Sequence, residues 1–203
     1  MKGKKMKTAV LIKGSSGITQ VPIESQHMSK RRLFITGEIN EEIALDFMKQ
    51  VMYLNDEDKH KPITVFINSP GGDVDSGMLI HDVIVSSQAP IYMYCVGTAY
   101  SMGAVLFSCA KRRYMLPNSK LMLHQPLLTG KVGGNVDSMR SISEKLCKTK
   151  DWLNRILALH TGKTVQEVDQ ATAFDHYFTA QEAVEFGLAD GIKSFGEVME
   201  ECR

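Results

Sequence analysis

The sequence predicts an α/β domain in which short strands alternate with helices. Two kinds of segment carry this reading. Ile63-Thr-Val-Phe-Ile67 and Ile91-Tyr-Met-Tyr-Cys-Val96 are continuous apolar, β-rich runs of strand length, the pattern of strands buried on both faces. Between such runs lie segments whose apolar residues recur at helical spacing, as at Ile43, Phe47, Val51 and Leu54.

The segment to Ser29 is polar and punctuated by glycine. It reads as a partly mobile N-terminal stretch, 1–29, ahead of one domain spanning 30–203. Leu33–Thr36 reads as a strand, and Asn40 as the cap of the helix carrying the Ile43–Leu54 stripe. Asp56–Lys61 is a charged loop, and Pro62 opens the Ile63–Ile67 strand. That strand runs into a Pro70-Gly-Gly72 turn and a helical pattern through Ile84. Further strands are expected at Ile91–Val96, Arg113–Leu116 and Lys120–Leu123. The longest helical pattern runs from Asn135 to about His160, with Val136, Met139, Ile142, Leu146, Leu153, Ile156 and Leu157 at spacings of three, four and seven. About 26 residues at 1.5 Å each give a rod of nearly 40 Å, longer than a small core covers, so it calls for a partner surface. Thr164-x-x-Glu167 and Thr179-x-x-Glu182 fit capping boxes, and Gly187 suits a left-handed cap.

At 203 residues and 22.6 kDa the chain is sized for one domain with a substantial core. A net charge of +1 favours neither a nucleic-acid binder nor a membrane-surface protein. The basic start, Met1 to Lys13, holds an apolar run of about five residues. That is short of the roughly 7–15 of a secretory signal and the ~20 of a membrane span, so a cytoplasmic protein is expected. Cys95, Cys109, Cys147 and Cys202 are scattered and form no C-x-x-C, which favours reduced thiols over a zinc site or a disulfide framework; no metal is expected. Thr129-Gly-Lys131 and Thr161-Gly-Lys163 lack the rest of a phosphate loop, and Lys13-Gly-Ser-Ser-Gly17 has the wrong order, so the chain carries no nucleotide site.

The segment richest in chemistry is Val96-Gly-Thr-Ala-Tyr-Ser101-Met-Gly-Ala104, a serine among small residues directly after an apolar run. A serine hydroxyl needs a base, an exposed position and donors for the oxyanion it creates, and small neighbours allow a sharp strand-to-helix turn that leaves N–H groups free. Taken alone the segment is equally compatible with a packing corner. A base is offered at Leu121-Met-Leu-His124-Gln-Pro126, where an apolar strand ends in histidine; a lone histidine there is more often structural. An orienting acid is offered at Asp175, expected to be partly shielded between apolar and aromatic neighbours ahead of a helix. On spacing alone a turn or capping role is the simpler account. The Gly71-Gly72 pair at a strand end can present N–H groups to an oxyanion or substrate backbone, or simply make a tight turn.

Five blocks together, Ile67-Asn-Ser-Pro-Gly-Gly72, Ala99-Tyr-Ser-Met-Gly-Ala104, Leu116-Pro-Asn-Ser119, His124-Gln-Pro126 and Phe178-Thr-Ala-Gln-Glu-Ala-Val-Glu-Phe-Gly-Leu188, resemble the proteolytic subunits of the ATP-dependent Clp protease, the ClpP family, in order and near-spacing from about Arg32 to Ile192. The resemblance implies a ClpP/crotonase-like fold of repeated ββα units with a protruding handle helix. It implies Ser101 as nucleophile, His124 as general base, Asp175 as the residue orienting the histidine, and the N–H groups of Gly72 and Met102 as oxyanion hole. An extended substrate would lie between Asp73-Val74 and Gln125-Pro126-Leu127. The family's assembly is two stacked heptameric rings of the same subunit, joined through the handle helix and fed with unfolded polypeptide by a separate AAA+ unfoldase that consumes the ATP.

The chain departs from the family's pattern at four places. Val21–His27 runs almost directly into the first core strand, without the usual Tyr-Asp-Ile-Tyr-Ser-Arg-like stretch. Ala173 and Phe174 stand where many members carry an acid and an arginine that pair between rings. His124 arrives about two residues early, through a short deletion near Lys111–Arg113. Tyr100 replaces a small residue beside the nucleophile and is expected to narrow the site. Two rival readings follow: a crotonase-like acyl-CoA enzyme, which needs no Ser-His-Asp set, and a non-catalytic or conditionally active subunit of a mixed ring.

Overall fold

The computed structural model describes residues 8–14, 17–128 and 133–202. In chain order, β1 (Ala9–Gly14) and β2 (Gly17–Pro22) form an antiparallel pair of their own, followed by α1 (Ile23–Met28). The domain proper runs β3 (Arg32–Thr36), α2 (Glu41–Glu57), β4 (Ile63–Ser69), α3 (Val74–Ser86), β5 (Ile91–Tyr100), α4 (Met102–Ser108), β6 (Arg112–Met115), β7 (Lys120–Leu123), α5 (Val136–Thr161), α6 (Val165–Ala171), β8 (His176–Thr179), α7 (Ala180–Phe186), β9 (Gly191–Ile192) and α8 (Phe195–Glu201). The expected α/β alternation holds. The segment to Ser29 carries two strands and a helix that the sequence did not announce; its residues 1–7, 15 and 16, and the Thr129–Lys131 triplet, lie outside the described residues.

The main sheet has the order β3-β4-β5-β6-β9 with every pair parallel. β5 is longer than its apolar core suggests because it has two successive partners on one side. Tyr92–Cys95 pair with β6, and Thr98–Tyr100 pair in parallel with β7. The small residues Gly97, Thr98 and Ala99 therefore continue the strand instead of turning out of it. β7 also pairs antiparallel with β8, an edge strand of four residues.

Alternation sorts the strand residues between two layers. Leu33, Ile35, Val65, Ile67, Ile91, Met93 and Cys95 face the main core, which the buried stripes of α2, α3 and α4 complete. The other face carries a row of rings, Phe34 on Phe66, Phe66 on Tyr94 and Tyr94 on Tyr114, covered in part by Val198 of α8.

The helix ends match their sequence signals. Asn40 caps α2, accepting from the Ile43 N–H at 3.0 Å, and Asn135 caps α5 through the Ser138 N–H at 2.9 Å. The capping boxes at Thr164/Glu167 and Thr179/Glu182 are formed, with a third at Ser194/Glu197. α5 is 26 residues long. Leu153, Ile156 and Leu157 near its C-terminal end are buried, whereas Val136 and Met139 of the same stripe are exposed. The apolar stripe thus outruns the core of one chain. Arg113 holds the base of this helix, donating at 2.9 Å to the carbonyls of His160 and Gly187 and pairing with Asp190.

Candidate active site

Three strand ends build the site. β5 ends at Tyr100 and the chain turns at once into α4, so Ser101 occupies the junction at φ 54°, ψ −123°. A left-handed backbone on a serine costs about 1–3 kcal/mol and persists only where the surroundings enforce it. Here the enforcement is local: the Ser101 N–H donates to the Met122 carbonyl at 2.8 Å, and the Ser101 carbonyl accepts from Ala104 and Val105 in the first turn of α4. Gly71 lies against the junction. A methyl group on it would come within 2.7 Å of the Tyr100 carbonyl oxygen and 2.8 Å of the Ser101 Cβ.

Gly72 has φ +152°, and a side chain there would run into the Ile39 carbonyl. The tight approach comes from a parallel bridge between Ile39 and Gly72, in which the Ile39 N–H donates to the Gly71 carbonyl at 2.8 Å and the Asp73 N–H to the Ile39 carbonyl at 2.9 Å. Among the described residues neither the Gly72 nor the Met102 N–H donates to a protein acceptor. Both line the cleft that holds Ser101.

That cleft has a volume of about 810 Å³. Of the residues singled out from the sequence, Gly72, Asp73, Val74, Ser101, Met102, His124, Pro126 and Leu127 line it. α5 closes the other side with an apolar wall the sequence reading did not assign to the site: Leu146, Trp152, Leu153 and Leu157. The signal for it was the helical stripe, whose partner could not be named without the fold. The Asp73 carboxylate accepts from the Ser76 N–H at 2.7 Å as the cap of α3, and bonding from Ser76 holds its carboxyl below the ordinary 3.8. What Asp73 offers to the cleft is therefore chiefly backbone. Gln125 stands outside the lining and donates to the Ala173 carbonyl at 2.8 Å, tying the His124 loop to the segment ahead of Asp175.

His124 follows the last residue of β7, and its Nδ1 is buried without a hydrogen-bond partner among the described residues. Asp175 directly precedes β8. It is exposed rather than partly shielded, since its neighbour Phe174 is 87% exposed and covers nothing, and it lies outside the cleft lining. A strand, β8, intervenes between it and the expected helix. The ladder Lys120↔Thr179, Leu121↔Phe178, Met122↔Tyr177, Leu123↔His176 nevertheless ends one residue short of both side chains. Tyr100 does not narrow the cleft. Its ring packs on Tyr177, away from the cleft lining.

Among the described residues no cluster of His, Cys, Asp and Glu is arranged to hold a metal, and no helix is long and apolar enough to cross a membrane. Cys95 and Cys109 are buried free thiols, and burial pushes them up to about 11 and about 12. Such thiols are protonated and poor nucleophiles at neutral pH.

A model of the Clp protease family matches residues 15–195 of the 203, covering the Ser101 junction, the His124 strand end and the Asp175 segment. The mostly parallel sheet and the eight helices among the described residues agree with that match. The chain belongs to the Clp protease family and is a ClpP-type peptidase.

Proposed function

We propose that the chain is a serine endopeptidase subunit in which Ser101, His124 and Asp175 act as a triad. The observation that carries this is the strand register. One further residue along the β7–β8 ladder would match His124 with Asp175, and Ser101 follows the β5 residue paired with Met122. The unpartnered, buried Nδ1 of His124 fits the same reading, because an imidazole acting as base needs an acceptor to fix its tautomer and to stabilise its charged form.

In this mechanism His124 takes the Ser101 proton as the hydroxyl oxygen attacks a peptide carbonyl. The Gly72 and Met102 N–H groups receive the oxyanion. His124 then protonates the leaving amine, and water, activated by the same imidazole, releases the acyl group. The substrate lies extended, bonding to the backbone at Asp73-Val74 and at Gln125-Pro126-Leu127.

Two features favour activity conditional on assembly: the exposed Asp175 and the α5 stripe that outruns the core. The expected assembly is two stacked heptameric rings of this chain joined through α5, located in the cytoplasm. A separate AAA+ unfoldase would consume the ATP and deliver unfolded polypeptide. A subunit active only within a mixed ring is the second reading the exposed Asp175 favours. The test is hydrolysis of a fluorogenic peptide by the assembled protein and by Ser101→Ala. Turnover lost in the variant, with the oligomer retained, supports the proposal; turnover retained in a clean variant preparation refutes it.

A further inference from the structure

β8 is a four-residue edge strand whose ladder partner among the described residues is β7, and Asp175 leads directly into it. The lateral position of that carboxylate therefore depends on how firmly β8 is held. One side-chain contact ties β8 to the strand carrying the nucleophile. Tyr100, Met122 and Tyr177 form one row across β5, β7 and β8. Within it the rings of Tyr100 and Tyr177 meet edge to face, centroids 5.6 Å apart and planes at 90°, the favoured geometry of an aromatic pair. This row lies directly behind the Ser101 junction, whose N–H is bonded to the Met122 carbonyl in the same row.

We propose that Tyr100 is a positioning residue for peptide hydrolysis: through its ring contact with Tyr177 it holds β8, and with it Asp175, in line with Ser101 and His124. The proposal rests on the triad reading above. It follows from two features of the contact. Tyr177 is 53% exposed, so its ring does little for the core and what it chiefly contributes is the tie to Tyr100. Tyr100 is absent from the cleft lining, so it acts on the reaction through β8 and not by touching substrate. Buried Phe178 and the Gln125–Ala173 bond anchor the rest of the segment, so a smaller residue at 100 would loosen chiefly the exposed side of β8 at Tyr177, letting the carboxylate shift while the substrate-binding cleft stays as it is.

The experiment compares assembled wild type, Tyr100→Ala, Tyr100→Phe, Tyr177→Ala and the Tyr100→Ala/Tyr177→Ala double variant. Steady-state hydrolysis of a fluorogenic peptide is read together with the rate at which a fluorophosphonate labels Ser101. Each alanine variant should lower kcat about 2- to 10-fold, the worth of one aromatic pair, with KM within about twofold of wild type. The double variant should be no slower than either single one, and Tyr100→Phe should restore the rate because the ring contact needs no hydroxyl. If Tyr100→Ala does not fold, the surface variant Tyr177→Ala carries the same expectation. A change confined to KM, single effects that multiply in the double variant, or failure of phenylalanine to rescue overturns the proposal. No labelling of Ser101 in the wild type overturns the triad reading, and this proposal with it; labelled wild type with unchanged kcat in the alanine variants overturns this proposal alone.

Discussion

Leu123 pairs with His176 across the antiparallel ladder of β7 and β8, which brings the ends of the two segments that carry His124 and Asp175 side by side. Ladder register is set by which face of each strand is buried, so this neighbourhood is fixed by Leu121 and Phe178, both buried and directly opposed. The arrangement needs no long-range electrostatic attraction to form. The proposed triad adds one contact to it, between an Nδ1 that is buried and without a partner among the described residues and an exposed carboxylate.

The proposed triad requires Asp175 for the reaction. Asp175→Asn keeps the size of the side chain and removes its negative charge, and should lower kcat for peptide hydrolysis by about 10³- to 10⁴-fold. Steady-state kinetics on the assembled variant, with its oligomeric state checked by light scattering, measures this. A loss below tenfold would remove Asp175 from the reaction.

Gly72 is held against Ile39 too closely for any side chain. Gly72→Ala forces that bridge apart and strains a backbone at φ +152°, which should cost about 1–3 kcal/mol of stability and displace the N–H assigned to the oxyanion. Urea denaturation and peptide kinetics on the same preparation should show both losses. Full activity in a folded Gly72→Ala variant would exclude the Gly72 N–H from the oxyanion hole.

Arg113 joins the C-terminal end of α5 to the turn after α7 and to Asp190. Arg113→Ala leaves the His160 and Gly187 carbonyls without their guanidinium donor and removes the ion pair to Asp190, whose carboxylate keeps the Arg113 backbone N–H. It should destabilise the fold by about 2–4 kcal/mol, read as a lower urea midpoint with an unchanged slope. An unchanged midpoint would show that water replaces the guanidinium at no cost.

His160, at the base of α5, has its imidazole held below the ordinary 6.5 by burial first, then by the neighbouring His81 and Arg113; its Nε2 lies 3.3 Å from the Nε2 of His81. A depressed folded-state value means that the unfolded chain binds the proton more readily. The stabilising contribution is therefore complete above about 6.5, the unfolded value, and is lost as pH falls below it toward the folded value. Melting temperature should fall between pH 7.5 and 5.5, and fall less steeply in His160→Gln. Some slope should remain, because His27 is likewise held low by burial. Identical slopes in the two proteins would place the pH sensitivity elsewhere.

The parts of the fold that could be read from the sequence are those where one physical signal dominates. Asn40, Asn135 and the Thr164 and Thr179 capping boxes were legible because capping needs particular side chains at fixed offsets. The strand cores at Ile63 and Ile91 were legible from apolar continuity. The upper half of β5 was not, because Thr98 and Ala99 are extended by virtue of tertiary partners, β7 on one side and Asn68 and Ser69 of β4 on the other, that lie far off in the chain. β1, β2 and α1 were missed for a related reason: Leu11, Ile12 and Ile18 are exposed, so the hairpin lacks the alternation that a buried face imposes. At the site, the residue types and their order were legible, but the exposure of Asp175 was not. Phe174 and Tyr177 look like shielding neighbours in sequence, but in the single chain Phe174 points into solvent and the half-exposed Tyr177 turns its ring to Tyr100.

The measurement that bears most directly on the central claim is fluorophosphonate treatment of the assembled protein, with the adduct located by peptide mass spectrometry and Ser101→Ala run alongside. The triad account predicts a single adduct, on Ser101, absent from the variant. An adduct on another residue, or none on the assembled protein with an unfoldase present, would contradict it.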